Sequence, residues 1–168
     1  MGEDRLLLES REIEPGTGHA AGRLLLEKLY RQATGEAMPP ILVTERGKPY
    51  FASGPLHFSV THTRRRVFCA LWDRPLGIDA EELDRKIDLR LADKILSAGE
   101  LAQYQAADDK RLALLTFWVL KEAAAKASGQ GLRGYPRDTD FSLEDPRVRI
   151  RDGCLLAMIP ANITEQER

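Results

Sequence analysis

The sequence predicts an α+β fold in which antiparallel sheets pack against helices. Two segments, 87–107 and 110–131, place apolar residues at the spacing of an amphipathic helix. Short β-prone runs with alternating apolar residues stand on both sides of these helices, and turn residues separate the runs. These two observations define the fold class.

The first part of the chain combines one helix with short extended pieces. Residues 1–18 mix charges with the breaker sequence EPGTG and are expected to form a loosely held segment. Apolar residues at helical spacing predict a helix over 19–34, which Gly35 ends. Residues 41–44 (ILVT) predict a short strand, and a turn at Gly47 follows it.

The remaining strands fall into two groups around the two long helices. The first group is three strands in succession, which imply an antiparallel meander, at 57–63, 67–72 and 76–81. The second long helix is expected to end at Gly129 and Gly131. After it come three further predicted strands, at 139–143, 148–151 and 154–159.

Composition narrows the classes of partner. The 168 residues include 25 Lys and Arg against 26 Asp and Glu, so the net charge of −1 disfavours a nucleic-acid partner. The longest apolar run, 112–120, is too short to cross a membrane, and the acidic N-terminus does not resemble a signal peptide. Cys69 and Cys154 each lie in an apolar run, which indicates buried free thiols and a cytoplasmic protein.

The strand at 76–81 carries a pair of carboxylates. Because side chains alternate along a strand, Asp79 and Glu81 share one face. Two carboxylates at this spacing can bind Mg²⁺, which is often held by one or two carboxylates together with substrate phosphates. The alternative is a strand end that simply exposes acidic side chains to water. Asp84 and Arg85 follow closely and are expected to supply only a surface salt bridge.

The second long helix presents an aromatic ring, an acid and a base on one face. Trp118, Glu122 and Lys126 are four residues apart in turn. Glu122 could complete a metal site or accept a proton, and Lys126 could neutralise a phosphate. The alternative is an ordinary Glu–Lys pair on a helix surface, although Trp118 lies in an apolar stretch that places the pair beside the core. Lys121 lies off this face and could meet a partner protein.

A third candidate site lies where the strand at 57–63 ends. Thr61 and His62 are followed by Thr63 and then by the arginines at 64–66, so a phosphate could bind there, although a solvated loop is the simpler interpretation. The sequence lacks a G-x-S-x-G elbow, a P-loop and a G-x-G-x-x-G loop, which disfavours acyl transfer and common nucleotide-binding modes. The spacing of the His and Cys residues does not suit zinc.

Four motifs in order give the chain a family resemblance. They are Gly47-Lys48-Pro49, the segment FSVTH at 58–62, the segment GIDAE at 77–81, and WVLKEAAAK at 118–126 with GQGL at 129–132. In this order they resemble the 4′-phosphopantetheinyl transferases, and more closely the two-lobed type that activates peptide and polyketide synthases. The resemblance covers about residues 19–150.

The resemblance implies a reaction and a set of catalytic residues. A serine of an acyl or peptidyl carrier protein would attack the β-phosphorus of coenzyme A, which leaves 3′,5′-ADP and a phosphopantetheine arm on the carrier. Asp79, Glu81 and Glu122 would hold Mg²⁺ on the pyrophosphate. Glu122 would also accept the proton of the serine, and Lys126 would pair with the phosphates of coenzyme A.

The resemblance also implies coenzyme A contacts and a division into lobes. Lys48, Pro49, Thr61, His62 and Lys126 would bind coenzyme A, with Lys48 and His62 at its nucleotide end. The domain over 19–168 would consist of a shortened first lobe at 19–63 and a second lobe at 64–168.

The chain departs from the family pattern at both ends, which are expected to be abbreviated. A strand missing near the C-terminus would leave an open sheet edge, so both a monomer and a homodimer are open. Two alternatives to the transferase stay open as well. One is a relative that binds coenzyme A or carrier protein without turnover, and the other is a metal-dependent nuclease built on Asp79, Glu81, Glu122 and Lys126.

Overall fold

The computed structural model describes residues 5–130 and 137–161. The helices are α1 (Gly18–Thr34), α2 (Ala92–Ile95), α3 (Ala98–Ala106) and α4 (Lys110–Ser128), with a 3₁₀ turn at Leu89–Leu91 before α2. The strands are β1 (Leu7–Glu12), β2 (Ile41–Val43), β3 (Pro49–Phe51), β4 (His57–His62), β5 (Arg66–Trp72), β6 (Leu76–Glu82), β7 (Val148–Arg151) and β8 (Cys154–Pro160). The predicted α+β class with antiparallel sheets is confirmed.

Two three-stranded antiparallel sheets and one two-stranded ribbon organise the fold. The first sheet has the order β1-β5-β4, the second has the order β6-β8-β7, and β2 pairs with β3. Helix α1 packs on the first sheet through Leu25, Leu26 and Leu29, which are buried with Phe58 and Val67. Burial of this apolar face stabilises the helix, because each large apolar side chain contributes about 1.5–3 kcal/mol.

Helix α4 packs on the second sheet and forms the centre of the molecule. Its buried residues Leu115, Val119 and Ala123 contact Leu155 and Ala157 of β8. Asp109 caps the start of α4 by accepting from the backbone N–H of Leu112, and Gly129 ends it in the left-handed conformation at φ +69°. The helices predicted over 19–34 and from 110 onward are therefore confirmed, whereas residues 131 and 132 lie outside the described residues.

The expectation that residues 1–18 form a loosely held segment is wrong for β1. This strand pairs with β5 from Leu7 opposite Leu71 to Glu12 opposite Arg66. Strand β5 is almost entirely buried, so the backbone groups on both of its edges need hydrogen-bond partners, and β1 supplies them on one side.

The helix predicted over 87–107 is wrong as a single element, because α2 ends at Ile95 and α3 begins only at Ala98. Ser97 accepts from the backbone N–H of Glu100, and the Glu100 side chain accepts from the backbone N–H of Ser97, which is a capping box that starts α3. The predicted strand at 139–143 is also wrong. Its backbone N–H groups at Phe141 and Leu143 donate to the side chains of Glu100 and Gln103 instead of to a neighbouring strand.

The predicted meander is confirmed for its first two strands and wrong for the third. Strands β4 and β5 form an antiparallel hairpin, but β6 pairs with β8 in the second sheet. The expected boundary between residues 63 and 64 falls inside the turn of this hairpin, where the backbone N–H of Thr63 donates to the carbonyl of Arg66. No helix in residues 5–130 or 137–161 is long and apolar enough to cross a membrane.

Candidate active site

The site forms where β6 lies directly against α4. A Cβ added at Gly77 would come within 2.1 Å of the Ala123 carbonyl oxygen and 2.3 Å of the Ala127 nitrogen, so only glycine permits this approach. The close approach brings the carboxylates of β6 beside the face of α4 that carries Glu122 and Lys126. Strand β4 also contacts β6, and the Ser59 hydroxyl accepts a hydrogen bond from the backbone N–H of Ile78 at 3.0 Å.

Asp79 is the most deeply buried carboxylate of the site, with an exposed fraction of 7%. Its Oδ1 accepts from Lys126 Nζ at 2.9 Å and from Thr61 Oγ1 at 3.3 Å. Its Oδ2 is buried and has no hydrogen-bond partner among the described residues. Burial raises the pKa of Asp79, while the charge of Lys126 and the bonds from Lys126 and Thr61 oppose that rise.

Glu122 lies among the other charges of the site. Burial, together with the negative charges of Asp79 and Glu81, raises the pKa of Glu122 to about 7, and the positive charge of Lys126 opposes the shift. A carboxyl group with a pKa near neutrality can accept a proton at neutral pH and keep it long enough to pass it on. The arrangement therefore suits Glu122 to general base catalysis.

Glu81 is held by side chains that the sequence analysis did not connect with it. Arg85 forms an ion pair with Glu81, and the Trp118 side chain donates a hydrogen bond to the same carboxylate. Burial raises the pKa of Glu81, and the positive charge of Arg85 opposes the rise. The expectation that Arg85 supplies only a surface salt bridge is wrong, because the side chain of its partner Glu81 is mostly buried, at 16% exposed.

The carboxylates fit a hard cation, although they do not form a closed three-ligand cluster. The buried oxygen of Asp79 that lacks a partner is the kind of group that a divalent cation satisfies, and Mg²⁺ prefers carboxylate oxygens. Within residues 5–130 and 137–161, no group of three His, Cys, Asp or Glu side chains is arranged to hold a metal ion. The ligand set of Asp79, Glu81 and Glu122 therefore stays a prediction.

A cavity of about 250 Å³ brings together residues that are far apart in the sequence. Lys48 and Pro49 line it from the turn and strand β3, and Glu122 and Lys126 line it from α4. The Lys48 ammonium donates to the Ala127 carbonyl at 2.9 Å, and burial lowers the pKa of Lys48. The cavity thus combines two lysines with one carboxylate, which is an arrangement suited to an anionic substrate.

Thr61 and His62 do not line this cavity. Thr61 is buried, and its hydroxyl donates to Asp79. His62 lines a separate open cleft of about 720 Å³ together with Arg64, Glu81 and Arg85. The His62 ring packs against the first residue of α1, because a Cβ added at Gly18 would lie 2.4 Å from it.

Comparison with known proteins identifies the family. A family model described as the 4′-phosphopantetheinyl transferase superfamily matches residues 75–157. The holo-acyl-carrier-protein synthase of Cronobacter sakazakii is 39% identical over 88 residues, which are 46% of this chain and 70% of that protein. The chain belongs to the 4′-phosphopantetheinyl transferase superfamily. The resemblance found in the sequence motifs is therefore confirmed.

Longer relatives match as well. The 4′-phosphopantetheinyl transferase gsp of Aneurinibacillus migulanus is 31% identical over 115 residues, which are 66% of this chain and 48% of that protein. The 4′-phosphopantetheinyl transferase psf-1 of Bacillus pumilus is 33% identical over 136 residues, which are 77% of this chain and 58% of that protein. The chain spans about half the length of these two superfamily members.

The superfamily match divides the site into two parts. Asp79, Glu81, Glu122 and Lys126 all lie within the matched residues 75–157, whereas Lys48 and His62 precede them. The suggestion that Lys121 could meet a partner protein is wrong, because Lys121 is 1% exposed.

Lys121 instead contributes to the core between α3 and α4. Its ammonium pairs with Glu100 at 2.6 Å and donates to Thr139 Oγ1 at 2.7 Å. A lysine on an otherwise apolar helix face is a signal that a buried acidic partner exists elsewhere. The sequence does not say which acid it is.

Proposed function

We propose that this chain transfers the 4′-phosphopantetheine arm of coenzyme A to a serine of an acyl or peptidyl carrier protein. The serine oxygen bonds to the β-phosphorus, the bond from that phosphorus to the oxygen of the departing 3′,5′-ADP breaks, and the serine proton leaves. The observation that supports the proposal most is the cavity that unites Lys48, Glu122 and Lys126, because Lys126 also pairs with Asp79, whose other oxygen is buried and lacks a partner among the described residues.

Glu122 is the proposed general base. Its pKa of about 7 leaves a large fraction of the carboxylate ionised at neutral pH, so it can accept the serine proton. Lys126 is proposed to stabilise the negative charge that develops on the departing phosphate. Its ammonium lies 2.9 Å from Asp79 and 3.1 Å from the carbonyl oxygen of Ile78, and these two bonds hold it at the wall of the cavity.

Asp79, Glu81 and Glu122 are the proposed ligands of Mg²⁺. When bound, Mg²⁺ would offset charge on the pyrophosphate during transfer. The buried carboxylate oxygen of Asp79 supports this assignment, because a buried polar atom without a partner otherwise costs free energy.

The coenzyme A contacts are proposed in three groups. Lys48 and Pro49, together with Lys126, contact the substrate directly from the cavity wall. His62 contacts it from the neighbouring cleft, where Arg64 adds positive charge. Thr61 acts through its hydrogen bond to Asp79, which orients that carboxylate.

The deciding experiment measures the intact mass of an apo carrier protein after incubation with this protein, coenzyme A and Mg²⁺. We expect the carrier to gain one phosphopantetheine arm, and we expect EDTA to prevent that gain. Glu122→Gln should prevent it too, whereas Glu144→Gln, which removes a charge at an exposed position, should not. No gain with several carriers would contradict the proposal.

Two added measurements separate the alternatives. If no transfer occurs and coenzyme A still raises the melting temperature, the chain is a binding relative without turnover. If Mg²⁺-dependent loss of plasmid DNA occurs instead, the carboxylates serve a nuclease. Light scattering distinguishes a monomer from a homodimer in the same sample.

A further inference from the structure

The ion pair between Arg85 and Glu81 gives the candidate metal site a cation of its own. The Arg85 guanidinium contacts Glu81 Oε1, and the Trp118 side chain donates to the same carboxylate. The Glu81 side chain is 16% exposed, whereas the Arg85 side chain is 42% exposed. The carboxylate is therefore mostly buried, while the guanidinium can move out into solvent.

The turn that carries Arg85 is fixed from two directions. Arg111 of α4 donates to the Leu83 carbonyl at 2.6 Å and to the Arg85 carbonyl at 3.1 Å. Arg65 donates to both carboxylate oxygens of Asp84, at 2.8 Å and 2.9 Å. Because the backbone of this turn is held, the fold itself delivers Arg85 to Glu81, unlike an ordinary exposed pair of long side chains.

Arg85 affects all three candidate ligands. Its positive charge lowers the pKa of Asp79, of Glu81 and of Glu122, in each case against the effect of burial. A divalent cation bound among these carboxylates would be repelled by the same guanidinium. The Glu81 oxygen that contacts Arg85 cannot bind a metal ion at the same time, so metal binding and the Arg85 ion pair compete.

We propose that Arg85 is an internal counter-ion that holds Glu81 in the absence of metal and must leave it before Glu81 can bind a divalent cation. This proposal rests on the proposed function, because it concerns the same carboxylates. Arg85 is a positioning residue in this scheme, since it acts on the cation through Glu81. It lowers the affinity of the site for metal and keeps the carboxylates compensated when no metal is bound.

The test measures Mn²⁺ binding to the metal-free chain by electron paramagnetic resonance, with Mn²⁺ as the probe for the divalent site. We expect Arg85→Gln to lower the Kd for Mn²⁺ by roughly three- to tenfold, because it removes a competing charge. Arg85→Lys keeps the positive charge but lacks the planar guanidinium, so its Kd should lie between that of the wild type and that of Arg85→Gln. Arg90→Gln is the matched control, since Arg90 pairs with Asp88 and should leave the Kd unchanged.

A double-mutant cycle tests whether Arg85 acts through Glu81. In a Glu81→Gln background, Arg85→Gln should change the Kd by less than half as much, on a logarithmic scale, as in the wild-type background. Equal changes in both backgrounds would overturn the proposal and assign the effect to general charge. An unchanged Kd in Arg85→Gln, or no Mn²⁺ binding by either protein, would also overturn it. Thermal unfolding in EDTA confirms that each variant is folded.

The outcome can be separated from that of the proposed function. Transfer by the wild type without the expected change in Mn²⁺ affinity would overturn only the role of Arg85. The expected Mn²⁺ pattern without transfer to any carrier would support the role of Arg85 and contradict the transferase.

Discussion

Two of the lysines of helix α4, Lys121 and Lys126, lie five residues apart, and each pairs with a carboxylate from another element. Lys121 lies 2.6 Å from Glu100, and their side chains are 1% and 0% exposed. Lys126 lies 2.9 Å from Asp79, and their side chains are 35% and 10% exposed. The residue types and distances are similar, but the surroundings of the two pairs differ.

The difference lies in how completely each carboxylate is satisfied. One oxygen of Glu100 accepts from Lys121 and from the backbone N–H of Ser97, and the other accepts from the backbone N–H of Phe141. Asp79 has donors on one oxygen only. A saturated buried pair supports the fold, whereas a pair whose carboxylate has an unused oxygen and whose lysine lines a cavity keeps the capacity to bind a further group.

The largest expected effect is on turnover at the unsaturated pair. Asp79→Asn and Glu122→Gln should each lower the rate of transfer by at least about a hundredfold, because they remove a charge at the proposed metal and the proposed base. Both variants should stay folded. Intact mass of the carrier over time gives the rate, and thermal unfolding gives the stability. Most of the activity surviving in either variant would contradict the assignment of that residue.

The next effect is on stability at the saturated pair. Lys121→Met should lower the free energy of unfolding by about 3–5 kcal/mol, because it leaves the buried charge of Glu100 without its partner. Lys126→Met is the matched variant and should cost clearly less, because Lys126 is partly exposed and Asp79, although buried, keeps the hydrogen bond from Thr61. Urea unfolding measures both. Equal losses in the two variants would remove the distinction between the pairs.

The double variant Lys121→Met with Glu100→Leu sharpens this comparison. Replacing both charges with apolar groups removes the uncompensated charge, so part of the lost stability should return. The return should be incomplete, because Glu100 also accepts from the backbone of Ser97 and Phe141.

A smaller loss is expected where β6 touches helix α4 at Ala123 and Ala127. Gly77→Ala should lower the free energy of unfolding by about 2–3 kcal/mol, because the new methyl group meets backbone atoms of Ala123 and Ala127 that cannot rotate away. The shift should also move Lys126 relative to Asp79, so transfer should slow. Urea unfolding together with the transfer assay checks both, and unchanged stability would contradict the close approach.

The contrast between the two lysines shows what periodicity can predict. Alternation along β6 put Asp79 and Glu81 on one face, and the spacing of four put Glu122 beside Lys126. Such rules relate residues on one element only. The family resemblance carried by the ordered motifs is what joined the two elements in one predicted site.

The partners that come from other elements could not be predicted in this way. Glu100 is 21 residues before Lys121, and its burial depends on how α3 docks on α4. The break before Ser97 did have a local signal, because Ser97 and Glu100 have the spacing of a capping box. The pairing of Arg85 with Glu81 had no such local signal, because it depends on a turn whose backbone is held by Arg111 of α4.

The last expected effect is a pH dependence that belongs to the unsaturated site. Burial raises the pKa of Glu122 from 4.5 to about 7, so between these values the folded chain keeps a proton that the unfolded chain releases. Without metal, the free energy of unfolding should therefore fall as pH rises through this window and level off above it. Glu122→Gln should flatten the fall in urea unfolding with EDTA, whereas Glu144→Gln should not. A wild-type curve that matches the Glu122→Gln curve would mean that Glu122 has an ordinary pKa and is a poor base at neutral pH.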